Sequence, residues 1–136
     1  MTHTPRQLLE DVLPRQTDPF RDFSHLAPEV VIETPFAPPN RQKRIEGKAA
    51  FLATTQADRE SLPVRFEDVK NVVVHETADP EVVIAEYTIT GTLLPSGASA
   101  SADFITVARV RDGLIVHWRE YQDGLAMAAA SVFDPA

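Results

Sequence analysis

The chain has 136 residues, 13 Lys plus Arg against 20 Asp plus Glu, a formal net charge of −7 and no cysteine. This length suits one domain spanning 1–136, and 43% hydrophobic with 24% charged residues is the composition of a folded globular chain rather than a disordered or fibrous one. The missing cysteines exclude a disulfide scaffold, a thiolate metal site and a cysteine nucleophile, and the negative surplus opposes nucleic acid and anionic lipid as partners. Residues 1–13 carry Glu10 and Asp11 among scattered apolar positions and lack the hydrophobic run of a signal peptide. The longest mostly apolar stretch, Leu125 to Phe133, falls short of the ~20 residues needed to cross a bilayer. A cytoplasmic protein without membrane contact is the expectation.

Leu8, Leu9, Val12 and Leu13 recur at helical spacing, with Thr4 as N-cap and Pro5 at the first helical position. Asp18-Pro19 predicts a second short helix with Phe20, Phe23 and Leu26 on one face, ended by Pro28. Glu29 to Glu33 reads as a strand, and the three prolines of 34–40 make a rigid loop. Helical spacing returns from Ile45 to Arg59. Beyond Pro63, β-branched and aromatic residues concentrate at 64–77, 82–94, 99–110 and 114–121, separated by Asp79-Pro80, Pro95-Ser96-Gly97 and Asp112-Gly113. Gaps this short cannot hold a parallel crossover, so these strands form an antiparallel meander. Helices first and a connected sheet second predict an α+β domain with the helices on one face.

Standard signatures are absent: no phosphate loop, nucleophile elbow or paired histidines at metal spacing. His3, His25, His75 and His117 are isolated in sequence, so no metal and no cofactor are expected. Arg41, Lys43 and Arg44 read as a solvated loop, with a local anion contact as the alternative. The informative segment is the last hairpin, which ends in His117, Trp118, Arg119, Glu120, Tyr121 and Asp123. Strand alternation puts Val116, Trp118 and Glu120 on one face and His117, Arg119 and Tyr121 on the other. Phe104, Thr106, Ala108 and Val110 extend the apolar face. Two readings of Glu120 follow: a carboxylate against an apolar wall, its pKa raised toward use in proton transfer, or an edge carboxylate paired with Arg119 or Arg109. The amphipathic groups of the other face suit the interface of a homodimer.

The run Gly113-Leu114-Ile115-Val116-His117-Trp118-Arg119-Glu120-Tyr121-Gln122-Asp123, with Asp79-Pro80-Glu81, the stretch Ile84 to Gly97, the loop Thr34 to Pro39 and Arg44-Ile45-Glu46-Gly47-Lys48, resembles the nuclear-transport-factor-two-like superfamily and within it the SnoaL-like proteins. The resemblance implies a curved, mostly antiparallel sheet wrapped around N-terminal helices into a cone, with a small-molecule pocket and a homodimeric assembly. Trp118-Arg119-Glu120-Tyr121 is similar to the Trp-Arg-Asp-Tyr motif of limonene-type epoxide hydrolases, but Tyr87 and Ile89 stand where their further Arg and Asp belong. Arg119-Glu120-Tyr121 is similar to the Arg-Glu-Phe motif of the phenazine biosynthesis A/B proteins, whose helix histidine has no counterpart in 45–59. Polyketide cyclases of the SnoaL type carry an acid/base aspartate after the last strand, where Asp123 stands. In ketosteroid isomerases, Tyr87 with Glu120 would match only part of the catalytic set.

The sequence is therefore read as a small-molecule pocket protein, an acid/base isomerase or cyclase acting on an apolar secondary metabolite without cofactor. Glu120, Tyr87 and Asp123 are its catalytic candidates, and Trp118, Phe104, Phe36, Thr106 and Val116 its substrate-binding candidates. The alternatives are a non-catalytic binding protein and an epoxide-hydrolase-like enzyme with an altered catalytic set.

Overall fold

Thr4 opens helix α1 (Pro5–Val12) as expected: its hydroxyl accepts the Gln7 N–H at 3.2 Å while the Gln7 side chain accepts the Thr4 N–H at 3.0 Å. In the computed structural model, which describes residues 3–18, 21–61, 63–94 and 96–130, α1 runs into a 3-10 turn at Leu13–Arg15. Leu8, Leu9, Val12 and Leu13 are buried against the sheet, with Leu9 and Leu13 at 0% exposure. Arg6 fixes the angle by donating to the Val74 carbonyl at 3.0 Å.

The chain then departs from the expected second helix. Pro19 and Phe20 lie outside the described residues, 21–25 are irregular, and strand β1 (Leu26–Glu33) begins three residues before the expected strand and runs through Pro28. Phe23 takes a left-handed φ of 57°, which turns the chain into β1 and buries the ring. A short strand, β2 (Arg44–Glu46), occupies the expected start of the next helix; helix α2 is Lys48–Ser61. Gly47 separates them with a φ of 95°, a conformation glycine takes at no steric cost.

Four long strands follow: β3 (Val64–Glu76), β4 (Val82–Leu93), β5 (Ser99–Arg111) and β6 (Leu114–Gln122). They form the antiparallel meander that the turn signals predict, Pro95 lying outside the described residues. Asp112 and Gly113 are both left-handed, at φ 54° and 76°, as a tight type I′ hairpin requires. The sheet order is β2-β1-β6-β5-β4-β3, with only β1 and β6 parallel. Register shifts between Phe66 and Asp68, between Lys70 and Val73, and between Arg109 and Val110 mark bulges that curve the sheet, as the expected cone requires. Gly91 lets β3 and β4 close up: a Cβ there would lie 2.7 Å from the Arg65 carbonyl oxygen.

The result is an α+β fold with a six-stranded, mostly antiparallel curved sheet whose inner face meets α1. An unexpected helix, α3 (Gly124–Ala129), follows β6; Asp123 caps it by accepting the Ala126 N–H at 3.1 Å, and Met127 is buried. No helix among the described residues is long and apolar enough to cross a membrane.

Candidate functional site

Three adjacent strands bring the site together through their register. Tyr87 of β4 faces Phe104 of β5, which faces Gln122 of β6; Thr106 faces Glu120, and Ala108 faces Trp118. These side chains all leave the inner face, because residues two apart on a strand share a face. Tyr87, Phe104, Thr106 and Trp118 are buried, whereas Glu120 and Gln122 are half-buried. The rings of Tyr87 and Phe104 stack at 5.7 Å with 8° between their planes.

A short polar chain runs through this apolar wall. The Tyr87 hydroxyl lies 2.6 Å from the Thr106 hydroxyl and donates to Glu120 Oε1 at 3.0 Å. Trp118 Nε1–H points at the same oxygen, 3.4 Å away. A phenol has one proton, and here it is directed at Glu120, so Thr106 is the donor to Tyr87. The Gln16 side chain also acts on the phenol, favouring its ionised form. Burial raises the Glu120 pKa above its ordinary value, against the hydrogen bonds from Tyr87, Trp118 and Gln122 and the charge of Arg21, all of which favour the carboxylate. Burial, then the Glu120 charge, pushes the Tyr87 phenol well above its own ordinary value, so it stays protonated at neutral pH.

The edge reading of Glu120 does not hold. Arg119 bonds Glu33 at 3.3 Å, and Arg109 pairs with Glu81 at 2.8 Å and Asp79 at 3.1 Å, all on the outer face. Glu120 thus belongs to the inner group with Tyr87, Thr106, Phe104 and Trp118.

Val116 does not join that group. In the β5–β6 ladder Arg109 faces His117 while Val110 faces Ile115, so Val116 is the extra residue of a bulge and Ile115 takes the core position at 0% exposure. Phe36 is 67% exposed and packs edgewise on Tyr121 at 5.4 Å, on the outer side of β6. Asp123 is engaged as the cap of α3. Of the basic loop cluster, Arg41 pairs with Asp58, and Arg44 with Glu46 and Glu33.

Sequence reasoning passed over Gln122, although extending the 118, 120 alternation by one step reaches it. Gln16 and Arg21 carried no signal, since both come from the segment between α1 and β1, where residues 21–25 are irregular rather than the expected helix. Arg21 lies 4.5 Å from the Phe23 ring centre and donates to the Gln16 carbonyl. A hollow on the outer face, lined by Val82, Val107, Arg109, His117 and Arg119, is separate from this group. Its three charged or titratable side chains are already paired with Glu33, Asp79 and Glu81. No three His, Asp or Glu side chains among the described residues are grouped to hold a metal ion.

Residues 15–118 match the SnoaL-like domain. The chain is 40% identical over 98 residues to an uncharacterized PhzA/B-like protein of Pseudomonas aeruginosa, an alignment covering 72% of this chain and 67% of that protein. It is 33% identical over 100 residues to the uncharacterized protein YesE of Bacillus subtilis, covering 74% and 67%. The fold is also that of a phenazine biosynthesis-related protein of Pseudomonas aeruginosa, with a TM-score of 0.72 and 18% identity over 97% of this chain and 88% of that one. Glu120 and Gln122 fall just beyond the matched domain stretch, on the same strand as its last residue.

Proposed function

The chain belongs to the SnoaL-like domain family, and from that premise we propose that it is a small-molecule enzyme of the isomerase or cyclase type, in which Glu120 moves a proton on an apolar secondary metabolite. One observation carries the reading: a carboxyl whose pKa burial has raised stands at the end of an apolar wall, held by Tyr87 at 3.0 Å. A base is most useful when its pKa approaches the working pH, and desolvation moves a carboxyl in that direction. Oε1 takes the donors from Tyr87 and Trp118, and in this reading Oε2 accepts a substrate proton and returns it at a second position. Trp118 and Phe104 supply the apolar contact. Tyr87 acts on the carboxylate directly and Thr106 through Tyr87, holding its orientation, and Asp123 is the reserve acid or base.

A second reading, non-catalytic binding of the same class of compound, is favoured by the commitment of the Tyr87 proton to Glu120, which leaves no spare phenol donor for charge developing on a substrate. Proton exchange separates the two. Apolar cyclic ketones are incubated in D2O with the parent protein and with Glu120→Gln, and loss of the α-proton signal is followed by NMR. The parent accelerates exchange, and the variant is slower by a factor of about 100 or more. Equal rates with retained binding give the binding-only protein.

The outer face of the sheet supports a homodimer. Ile105 is 44% exposed there, opposite Tyr121, on which Phe36 packs, and His117 and Arg119 border them, both already bonded to Glu33. Such a mixture of apolar area and paired charge suits association better than lasting exposure.

A further inference from the structure

Gln122 follows Glu120 by two residues on β6 and leaves the same face, opposite Phe104. Its side chain acts on Glu120 as a donor does, favouring the carboxylate. A carboxylate oxygen accepts, so the amide N–H side of Gln122 is turned to Glu120 and its own oxygen points away. That oxygen, Oε1, is buried and accepts no hydrogen bond from any described residue. An unpaired buried acceptor is destabilising, and such groups concentrate where a site needs them.

We infer that Gln122 Oε1 is a substrate-recognition acceptor, and that the ligand is an apolar molecule bearing a hydroxyl group that donates to it beside Glu120. The inference rests on Glu120 as the centre of a ligand site and adds the polar group the ligand must carry. A hydroxyl fits better than an ammonium group. Arg21 already acts on Glu120 with a positive charge, which opposes a second cation there, and the neighbouring side chains Phe104, Tyr87 and Trp118 are aromatic. A ketone oxygen is only an acceptor, so it meets the Gln122 oxygen as a second acceptor and leaves it unpaired.

The test uses two compounds of one size, 2-decalol and 2-decalone. Trp118 is the only tryptophan in the chain, so its fluorescence reads binding at this site. The parent is expected to bind the alcohol about tenfold or more tighter than the ketone, because a site built for a hydroxyl rejects the analogue that cannot donate. Gln122→Met, which keeps the length and removes the acceptor, should bind both alike. Equal binding by the parent overturns the inference without any variant, as does a preference that survives in Gln122→Met. Decalone α-proton exchange reports Glu120 independently. Exchange that persists without an alcohol preference overturns the hydroxyl assignment alone, whereas failure of both compounds to bind, with no exchange, overturns the assignment and the Glu120 reading together.

Discussion

Tyr87 and Glu120 are not on neighbouring strands: β5 lies between β4 and β6, and the phenol reaches over Thr106 to give its proton to Glu120 Oε1 at 3.0 Å. Three strands are therefore tied by one polar chain inside an apolar layer, where each group depends on its neighbour for satisfaction. Tyr87→Phe keeps the ring stacked on Phe104 and removes the proton. It leaves Thr106 and Glu120 each short of a partner, a loss of about 1–3 kcal/mol in denaturant unfolding. The same variant should raise the Glu120 pKa further, because the Tyr87 hydrogen bond favours the charged form. Fluorescence of Trp118, whose N–H shares the Glu120 oxygen, reads the midpoint against pH. A midpoint that falls or stays put counts against this role for Tyr87.

Glu120→Gln should trade activity for stability. Because the folded pKa of Glu120 lies above its ordinary 4.5, folding favours the protonated form, and this contribution is lost as pH rises through the folded pKa. Above that window the parent carries a buried charge that the amide lacks. At neutral pH the glutamine variant should melt a few degrees higher than the parent, while proton exchange on substrate falls about 100-fold. At pH 4, where both side chains are largely uncharged, the difference in melting temperature should shrink. A variant that melts lower at neutral pH would show that the hydrogen bonds to the carboxylate outweigh its desolvation.

Much of this arrangement was legible in the sequence because the meander strands are long and their alternation is regular. Phe104, Thr106, Trp118 and Glu120 all fall on the face that period-two reading assigns, the Asp112-Gly113 turn fixes the register that joins them, and Tyr87, a candidate through the resemblance alone, meets them across β5. Alternation failed at Val116 because a bulge adds one residue to β6 and shifts everything before it to the other face. The helix expected after Asp18 is missing among residues 21–25: Phe23 leaves the helical region, and β1 gains pairing with β6 from Leu26. Tertiary pairing there outweighs local spacing. Phe36 follows from a loop whose direction no periodicity constrains. The Gln16 contact depends on how that same segment passes over Tyr87, which no local pattern encodes.

His25 gives the acid side of the stability profile a defined slope. Burial, then the positive charge of Arg21, lowers its pKa from 6.5 to about 4, so the folded protein holds it neutral. The unfolded chain takes up a proton below about pH 6.5 that the folded chain refuses until about pH 4. The contribution of neutral His25 is thus complete above 6.5, declines through the window and is gone below about 4. His25→Asn should flatten the decline in unfolding free energy between those values relative to the parent. Parallel profiles for the two proteins would remove His25 as its source.

The outer face makes the assembly testable with one substitution that the monomer tolerates. Ile105 lies between the inward Phe104 and Thr106 on β5, so its side chain leaves the other face, opposite Glu86 and Tyr121. At 44% exposure it contributes little to the core, and a charge placed there meets solvent in a monomer but apolar surface in a sheet-to-sheet dimer. The parent should sediment at about twice 15.0 kDa at micromolar concentration. Ile105→Asp should shift the mass to 15.0 kDa with an unchanged circular dichroism spectrum. Arg119→Ala should weaken association less, because its charge is already matched within the chain by Glu33 and is not left for a partner to satisfy. A parent that sediments as a monomer removes the dimer outright, and a dimer indifferent to Ile105→Asp places the interface elsewhere than on this face.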